Sequence, residues 1–404
     1  MKKLLAVGII LLLVGMGIPS TGNVVEKSSN VLSFDGNTLY VGGSGEGNYT
    51  RIQYAIDNAS DGDTVFVYNG TYVENVVVDK SINLKGEDRS STIIDSRRSG
   101  KNIVVENAHN VVISGFTLQN ATFSLVLWDT CKYSLIYDNV IRNNAYNGIT
   151  LYCSHCIIRS NIIKNNGQSG ISCSNPTYGY RNEISQNIIC NNEGDGIHLC
   201  SDGNNITENM ITENNQSGIW LWKTSSNNSI YHNNIINNKQ NAYDTGNNSW
   251  DNGYPSCGNY WDDYTGNDSD GDGIGDTPYL IPSGNNSDRY PLMEPYGMTE
   301  LTIGIGLFRI LGSIKNIGSK TAFNVHWKIT IDGGIILLGR HSSGIIPKPL
   351  LPDEETEVSS KLVFGIGRIM ITVELWADNV PYVSETISGL LLLFFIKINP
   401  GGGI

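Results

Sequence analysis

The chain repeats one arrangement of polar and apolar residues: an asparagine, an apolar pair, a polar turn, then Gly-Ile. It occurs at Asn139-Val140-Ile141 before Gly148-Ile149, at Asn161-Ile162-Ile163 before Gly170-Ile171, at Asn187-Ile188-Ile189 before Gly196-Ile197, and at Asn209-Met210-Ile211 before Gly218-Ile219. A fading copy stands at Asn233-Asn234-Ile235, and the glycines fall 22, 26 and 22 residues apart. Such a period, filled with short β-branched runs, predicts a solenoid whose coils cannot bury their apolar faces without neighbours. Strand alternation sends Ile149, Ile171, Ile197 and Ile219 inward together with Leu151, Cys173, Leu199 and Leu221. It sends Thr150, Ser172, His198 and Trp220 outward. The asparagine columns fit turns, where Asn tolerates left-handed backbone and amides about 4.8 Å apart form ladders. These asparagines read as scaffold.

Ahead of the repeats, residues 50–60 place Ile52, Ala55, Ile56 and Ala59 at helical spacing, with Thr50 as the expected N-cap. A short helix there is suited to covering the open apolar end of a solenoid. After residue 295 the repeat stops, and strand-like runs follow at 301–309, 323–331, 361–364, 369–376 and 390–398, with turn signals at Asp332-Gly333-Gly334 and Pro352-Asp353. This spacing predicts an Ig-like β-sandwich over 298–404. The apolar run 390–396 is too short to span a bilayer and is expected to be a final buried strand.

With 16% charged residues and a net charge of -12, the chain is not expected to hold nucleic acid or anionic lipid through bulk electrostatics. Residues 1–22, Met1-Lys2-Lys3, an apolar run, then Pro19-Ser20-Thr21-Gly22, read as a secretory signal. The mature chain is expected to be exported and to have no transmembrane span. Seven cysteines, an odd number, leave at least one thiol unpaired or in an intermolecular bond.

Tyr40-Val41-Gly42-Gly43, Ile52-Gln53-Tyr54-Ala55-Ile56-Asp57 and Gly62-Asp63-Thr64-Val65 resemble the opening segment of the NosD-like right-handed parallel β-helix proteins, a branch of the pectin-lyase-like carbohydrate-binding and sugar-hydrolase group. Gly258-Asn259-Tyr260-Trp261-Asp262-Asp263, Asp270-Gly271-Asp272-Gly273-Ile274-Gly275-Asp276 and Tyr290-Pro291-Leu292-Met293 resemble its closing segment in archaeal surface proteins. The resemblance implies an all-β chain: a right-handed parallel β-helix over 38–250 with an N-terminal capping helix, a closing segment over 251–295, then the smaller Ig-like sandwich, similar to adhesion-type modules. It is specific for fold and weak for reaction.

The strongest local chemical signal is Asp268-Ser269-Asp270-Gly271-Asp272-Gly273-Ile274-Gly275-Asp276. Carboxylates at the first, third, fifth and ninth positions with Gly at the sixth make a calcium-loop pattern, to which Ile274 adds its carbonyl. The acid expected at the twelfth position is replaced by Tyr279, so Asp262, Asp263 or Asp288 is the expected substitute. A second signal is an outward aromatic strip of Trp128, Tyr152, Trp220 and Trp222 with His198 beside it, suited to stacking on sugar rings. The competing expectation is that the 250–295 segment covers this face. For catalysis, Asp195 and His198 are the weak candidates for acid and base, with Glu193, Asp129 and Asp202 expected nearby. Cys153-Ser154-His155-Cys156 suggests either a soft-metal site or a disulfide to Cys131 one coil away.

The expected function is non-catalytic recognition of a polysaccharide or cell-envelope glycan at the cell surface, with Ca2+ as a structural cofactor and protein contacts through the C-terminal region. The alternatives are a polysaccharide lyase or glycoside hydrolase, a structural envelope protein, and a NosD-like factor for copper-site maturation.

Overall fold

The computed structural model describes residues 34–398 other than 298, 307, 317–321, 323, 352, 353, 378 and 379, so the expected signal segment lies outside the described residues. The chain winds through three parallel sheets. A ten-stranded sheet runs from Thr38–Val41 to Asn247–Ser249, a nine-stranded one from Gly70–Tyr72 to Tyr260–Trp261, and an eight-stranded one from Val76–Val78 to Gln240–Asp244. Each strand pairs in parallel with its counterpart one coil on, so like residues stack. Ile136, Ile158, Ile184, Ile206 and Ile230 make one column. Ile141, Ile163, Ile189, Ile211 and Ile235 make another, and the four Gly-Ile isoleucines a third. All are fully buried. At roughly 1.5–3 kcal/mol per buried branched side chain, these columns supply the cohesion between coils. The glycines ahead of the third column follow from the second: a Cβ on Gly170 would lie 2.5 Å from the Ile189 side chain and 2.8 Å from the Gly196 carbonyl.

The asparagines form ladders. In Asn139, Asn161, Asn187, Asn209 and Asn233, the side-chain Nδ2 donates to the Oδ1 of the asparagine one coil on at 2.9–3.1 Å. The backbone N–H donates to the same oxygen at 3.0–3.1 Å. The other Nδ2 proton meets carbonyls, for Asn187 those of Ile158 and Ser185. A second ladder runs through Asn144, Asn166, Asn192, Asn214 and Asn238, and a third through Asn182, Asn204, Asn228 and Asn248. The left-handed backbone falls one residue earlier than expected, on Asp138, Ser160, Gln186, Glu208 and His232 ahead of the first ladder and on Asn143, Asn165, Asn191, Glu213 and Asn237 ahead of the second. The ladder positions therefore require an amide, whereas the position before each requires only tolerance of a conformation that costs about 1–2 kcal/mol.

Two ladders end on buried carboxylates. Asp288 Oδ2 accepts the Asn259 N–H at 2.7 Å and the Trp261 indole N–H at 2.9 Å, and its Oδ1 accepts the Tyr290 N–H. Asp244 accepts the Asn248 amide at 3.0 Å and the Trp250 indole N–H at 2.8 Å. An ionised carboxylate only accepts, so it terminates a chain of donors.

The capping helix is Ile52–Asn58, the one helix among the described residues. Thr50 does not cap it. The N-cap is Arg51, without a side-chain bond, and the free Ile52 and Gln53 N–H groups are accepted by Glu74 at 3.0 and 3.2 Å. Lys80 donates to the Ile56 and Asp57 carbonyls at the other end, so both ends of the helix dipole meet opposite charge.

Beyond residue 298 a three-stranded antiparallel sheet of Thr299–Gly306, Arg309–Asn316 and Glu355–Ser359 faces a six-stranded one built around Phe364–Ala377 and Val380–Leu393. They share one core that includes Ile310, Ile314, Ile329, Ile371 and Val373. The run expected as a final buried strand is instead the end of Val380–Leu393 and a hairpin partner, Phe395–Ile398, with Leu391 buried and Leu390, Leu392 and Phe395 exposed. The edge of a sheet covered on one face buries only alternate residues. Lys328 joins this part to the β-helix, 3.2 Å from Asp88 and 3.3 Å from Glu374.

Burial pushes the Asp288 carboxyl up to about 6, against the hydrogen bonds it accepts. Between about pH 4 and 6 the folded chain keeps a proton that the unfolded chain has released, so stability falls as pH rises through that window. Going from about pH 4 to 7 is expected to lower the unfolding free energy by about 2 kcal/mol more in the native chain than in Asp288→Asn. Urea denaturation at both pH values measures it, and equal slopes for the two chains refute it.

Candidate functional site

The outward column of the eight-stranded sheet has the expected register, Val126, Thr150, Ser172, His198 and Trp220, and continues to Tyr243. Sequence reading missed Tyr243 because its coil replaces Gly-Ile with Asn241-Ala242. Two aromatic groups stand on this face. Trp128 stacks on Tyr152 at 5.0 Å, with Tyr178 edge-on to Tyr152 at 6.2 Å. Trp220 stacks between His198 at 4.1 Å and Tyr243 at 5.5 Å, and lies 5.0 Å from Trp222. Between the groups, the hydroxyls of Ser172 and Ser174 bond to each other at 2.8 Å.

Parallel register makes successive rings stack along the solenoid axis, which covers their faces and turns their edges outward. Both faces of Trp220 are taken by its neighbours. Of the rings in the two groups, Trp222 is the exposed one: it stacks on Trp220, is 37% exposed, and has the Lys223 ammonium 5.9 Å from its centre. The Lys101 ammonium stands 5.8 Å from the Trp128 ring centre in the same way.

The structure brings Asp195 and His198 together, His198 Nδ1 lying 2.8 Å from Asp195 Oδ2. The other Asp195 oxygen accepts the Ser217 N–H at 2.8 Å. This buried carboxylate is fully committed to orientation: Nδ1–H donates to it, which turns His198 Nε2 toward the aromatic face. Cys200 Sγ is 4.0 Å from that nitrogen, and burial pushes its thiol up to about 11, so it stays protonated. Glu193 and Asp202 do not join them, since Glu193 accepts from the Asn215 amide and Asp202 from the Ser226 N–H. Asp129 is exposed in the turn after Leu127.

In the acidic loop, Asp268, Asp270 and Asp272 each offer an oxygen within 4.8 Å of the others. Gly271 and Gly273 turn the chain at φ 75° and 84°. The Gly273, Gly271 and Asp272 N–H groups all point at Asp268 and hold its carboxyl below the usual range, while the Asp272 charge pushes that of Asp270 up. Asp276 accepts the Ser269 N–H, and Ile274 donates its N–H to Asp272. Of the expected supplementary ligands, Asp288 ends the first ladder, and Asp262 and Asp263 accept the Asn241 amide.

In the Cys153-Ser154-His155-Cys156 group the two thiols lie beside each other and the imidazole does not join them. Both thiols are buried in the solenoid core, and burial pushes that of Cys153 well up, whereas the His155 ring lies outside between Tyr133 at 5.2 Å and Tyr180 at 6.5 Å. The disulfide to Cys131 is absent too: all seven cysteines are free, and Cys131 Sγ donates to the Val105 carbonyl at 3.0 Å. Inward positions make these thiols packing groups.

The covering of Trp220 separates it from Trp222 in a measurable way. Trp220→Ala is expected to cost about 2 kcal/mol of stability and Trp222→Ala less than about 0.5 kcal/mol. Thermal denaturation of both variants checks this, and equal losses would show the two rings to be alike in burial.

Residues 56–266, more than half of the chain, match the NosD family, described as periplasmic copper-binding protein. A stretch of 106 residues is 34% identical to a cell surface glycoprotein of Methanothermus fervidus; it covers 26% of this chain and only 17% of that protein. Among solved structures, the enzymatically active domain of bacteriophage CBA120 tailspike protein 2 is similar at 12% identity over 91% of this chain and 80% of that one, with a TM-score of 0.41. XylC in complex with xylose is similar at 14% identity over 51% and 63%, also at 0.41. The A-module of the Azotobacter vinelandii mannuronan C-5 epimerase AlgE6 is similar at 17% identity over 46% and 71%, at 0.35. The family's description raises copper, which takes imidazole and thiolate donors. Among the described residues the one converging cluster of three such side chains is carboxylate, Asp268, Asp270 and Asp272, so the residues present do not fit a copper centre. On the match over its β-helix, the chain belongs to the NosD family.

Proposed function

We propose that this is an exported cell-surface protein whose β-helix binds a polysaccharide without cleaving it. The observation that carries the reading is the second aromatic group, in which a stack of His198, Trp220 and Tyr243 holds Trp222 half in water beside Lys223. A glycan lying across the coils would set one ring against Trp222 and meet His198 Nε2 and the exposed Ser174 hydroxyl with its own hydroxyls. The resemblance of one segment to a cell surface glycoprotein supports the location. Absence of catalysis is favoured because Asp195 is buried and bonded on both oxygens, whereas glycoside hydrolysis takes two carboxyl groups flanking the bond. His198 alone retains the capacity of a base, which keeps a lyase as the second reading.

Passing acidic and neutral polysaccharides over the immobilised protein tests this, with reducing and unsaturated ends assayed in the flow-through. Retention of one glycan class, lost in Trp222→Ala and accompanied by no products, is expected. Products that vanish in His198→Ala would instead make the chain an enzyme, and no retention of any glycan would leave a structural envelope role.

We also infer that the 268–276 loop binds calcium through Asp268, Asp270 and Asp272, the Ile274 carbonyl and Asp276, bracing the closing segment against the last coils. The mutual approach of three carboxylates supports it. Calcium at about a hundred times its dissociation constant is expected to add about 2.7 kcal/mol of stability. Asp270→Asn with Asp272→Asn is expected to remove that gain. A thermal midpoint unmoved by calcium, or moved equally in the variant, defeats the inference.

A further inference from the structure

The outer face of the six-stranded sheet ends in a row of apolar side chains. Ile335, Ile366, Leu392 and Phe395 stand side by side on four paired strands and are 64, 50, 50 and 70% exposed. Leu337, Leu338 and Leu393 are exposed at the same end. Phe308, at the tip of the hairpin between Thr299–Gly306 and Arg309–Asn316, comes within 5.5 Å of Phe394 and 6.1 Å of Phe395. Both sheets therefore contribute to one apolar tip, and soluble chains seldom leave so many branched and aromatic side chains together in water.

The next row back on the same face is cationic. Arg368 pairs with Leu390 and Leu390 with Lys397, and both cations are exposed. Alternation puts Arg368 on the side of Ile366 and Lys397 on that of Phe395, so the charges sit two residues, or about 7 Å, behind the apolar row. Asp332, opposite Met370, lies one row further back.

We propose that this tip seats on an anionic lipid bilayer, with Ile366, Leu392 and Phe395 entering the acyl boundary while Arg368 and Lys397 meet the headgroup phosphates. The order of groups along the strands favours lipid over a protein partner. An apolar edge followed at headgroup depth by long cationic side chains follows the polarity gradient of a membrane interface, where such side chains snorkel to the phosphates. The two cations stand at this tip in a chain of net charge -12, so the complementarity to an anionic surface is local. A depth of one row of side chains is interfacial, consistent with there being no helix long and apolar enough to cross a membrane among the described residues. This attachment is independent of the glycan reading, since it uses the opposite part of the chain.

Flotation of the full chain with vesicles of phosphatidylcholine, alone or mixed equally with phosphatidylglycerol, tests it. The mixed vesicles are expected to bind more tightly. Leu392→Asp with Phe395→Asp is expected to weaken binding at least about tenfold, and Arg368→Glu with Lys397→Glu to abolish the preference for phosphatidylglycerol. These exposed positions should leave the near-UV circular dichroism unchanged. Phe395→Trp is expected to add emission that shifts blue on vesicle addition, a readout local to the tip and separate from the apolar run near the N-terminus. Binding unaltered by the paired aspartates, or emission at position 395 indifferent to vesicles, overturns the proposal. A native chain that dimerises through this face and ignores vesicles overturns it in favour of contact between copies.

Discussion

The direction of the asparagine ladders is the constraint on which the structure depends. In the first ladder each asparagine from Asn139 to Asn233 donates through both Nδ2 and its backbone N–H to the next Oδ1, so the amide dipoles point the same way along the axis and each bond polarises the next. The isoleucine columns supply cohesion but are tolerant of small slips, because apolar contact is non-directional. The amides are not tolerant: a buried amide without its partner loses about 1–3 kcal/mol, and a slip of one residue would strand every rung. Cohesion and register thus come from different side chains. The left-handed residues ahead of the ladders are held in an unfavourable conformation by this registration.

The same register shapes the candidate site in a way that works against the simplest picture of a sugar platform. Stacking at coil spacing covers the aromatic faces, so a ladder of rings along a β-helix gains rigidity at the expense of the surface a sugar would use. Trp222 keeps some of its surface because it stands just past the end of the Ser217–Leu221 strand, where Cys200 at the matching place one coil earlier is too small to cover it. The Asp195–His198 pair shows the same economy of position: a carboxylate at the turn orients an imidazole on the strand and simultaneously ties down the next coil through Ser217.

Much of the fold was legible because the repeat writes each column several times over. Ile149, Ile171, Ile197 and Ile219 fix their own alignment, and the outward register of His198 on Trp220 follows from it. What was not legible lies where a partner comes from outside the local pattern. Glu74 serves as the cap of a helix 22 residues earlier, with no spacing rule to find it. Asp288 looked like a spare calcium ligand because its commitment to Asn259 and Trp261 is made only in three dimensions. Cys153, Cys156 and His155 are neighbours in sequence, yet the turn puts thiols and imidazole on opposite sides of the wall. In the C-terminal sheets, the run of leucines from Leu390 concealed a two-sided strand, since identical residues carry no alternation to read.

The termination of two ladders at carboxylates held by tryptophans makes the solenoid a ruler with one fixed end. Any coil between Asn139 and Asn233 presents an amide acceptor to the coil before it and an amide donor to the coil after it, so coils are interchangeable units that can be gained or lost without new chemistry at the joint. Asn259 and Asn248 instead meet groups that accept and cannot pass the bond on. Growth of the molecule, and hence the span of surface it offers, is therefore open within the repeats and closed at that end.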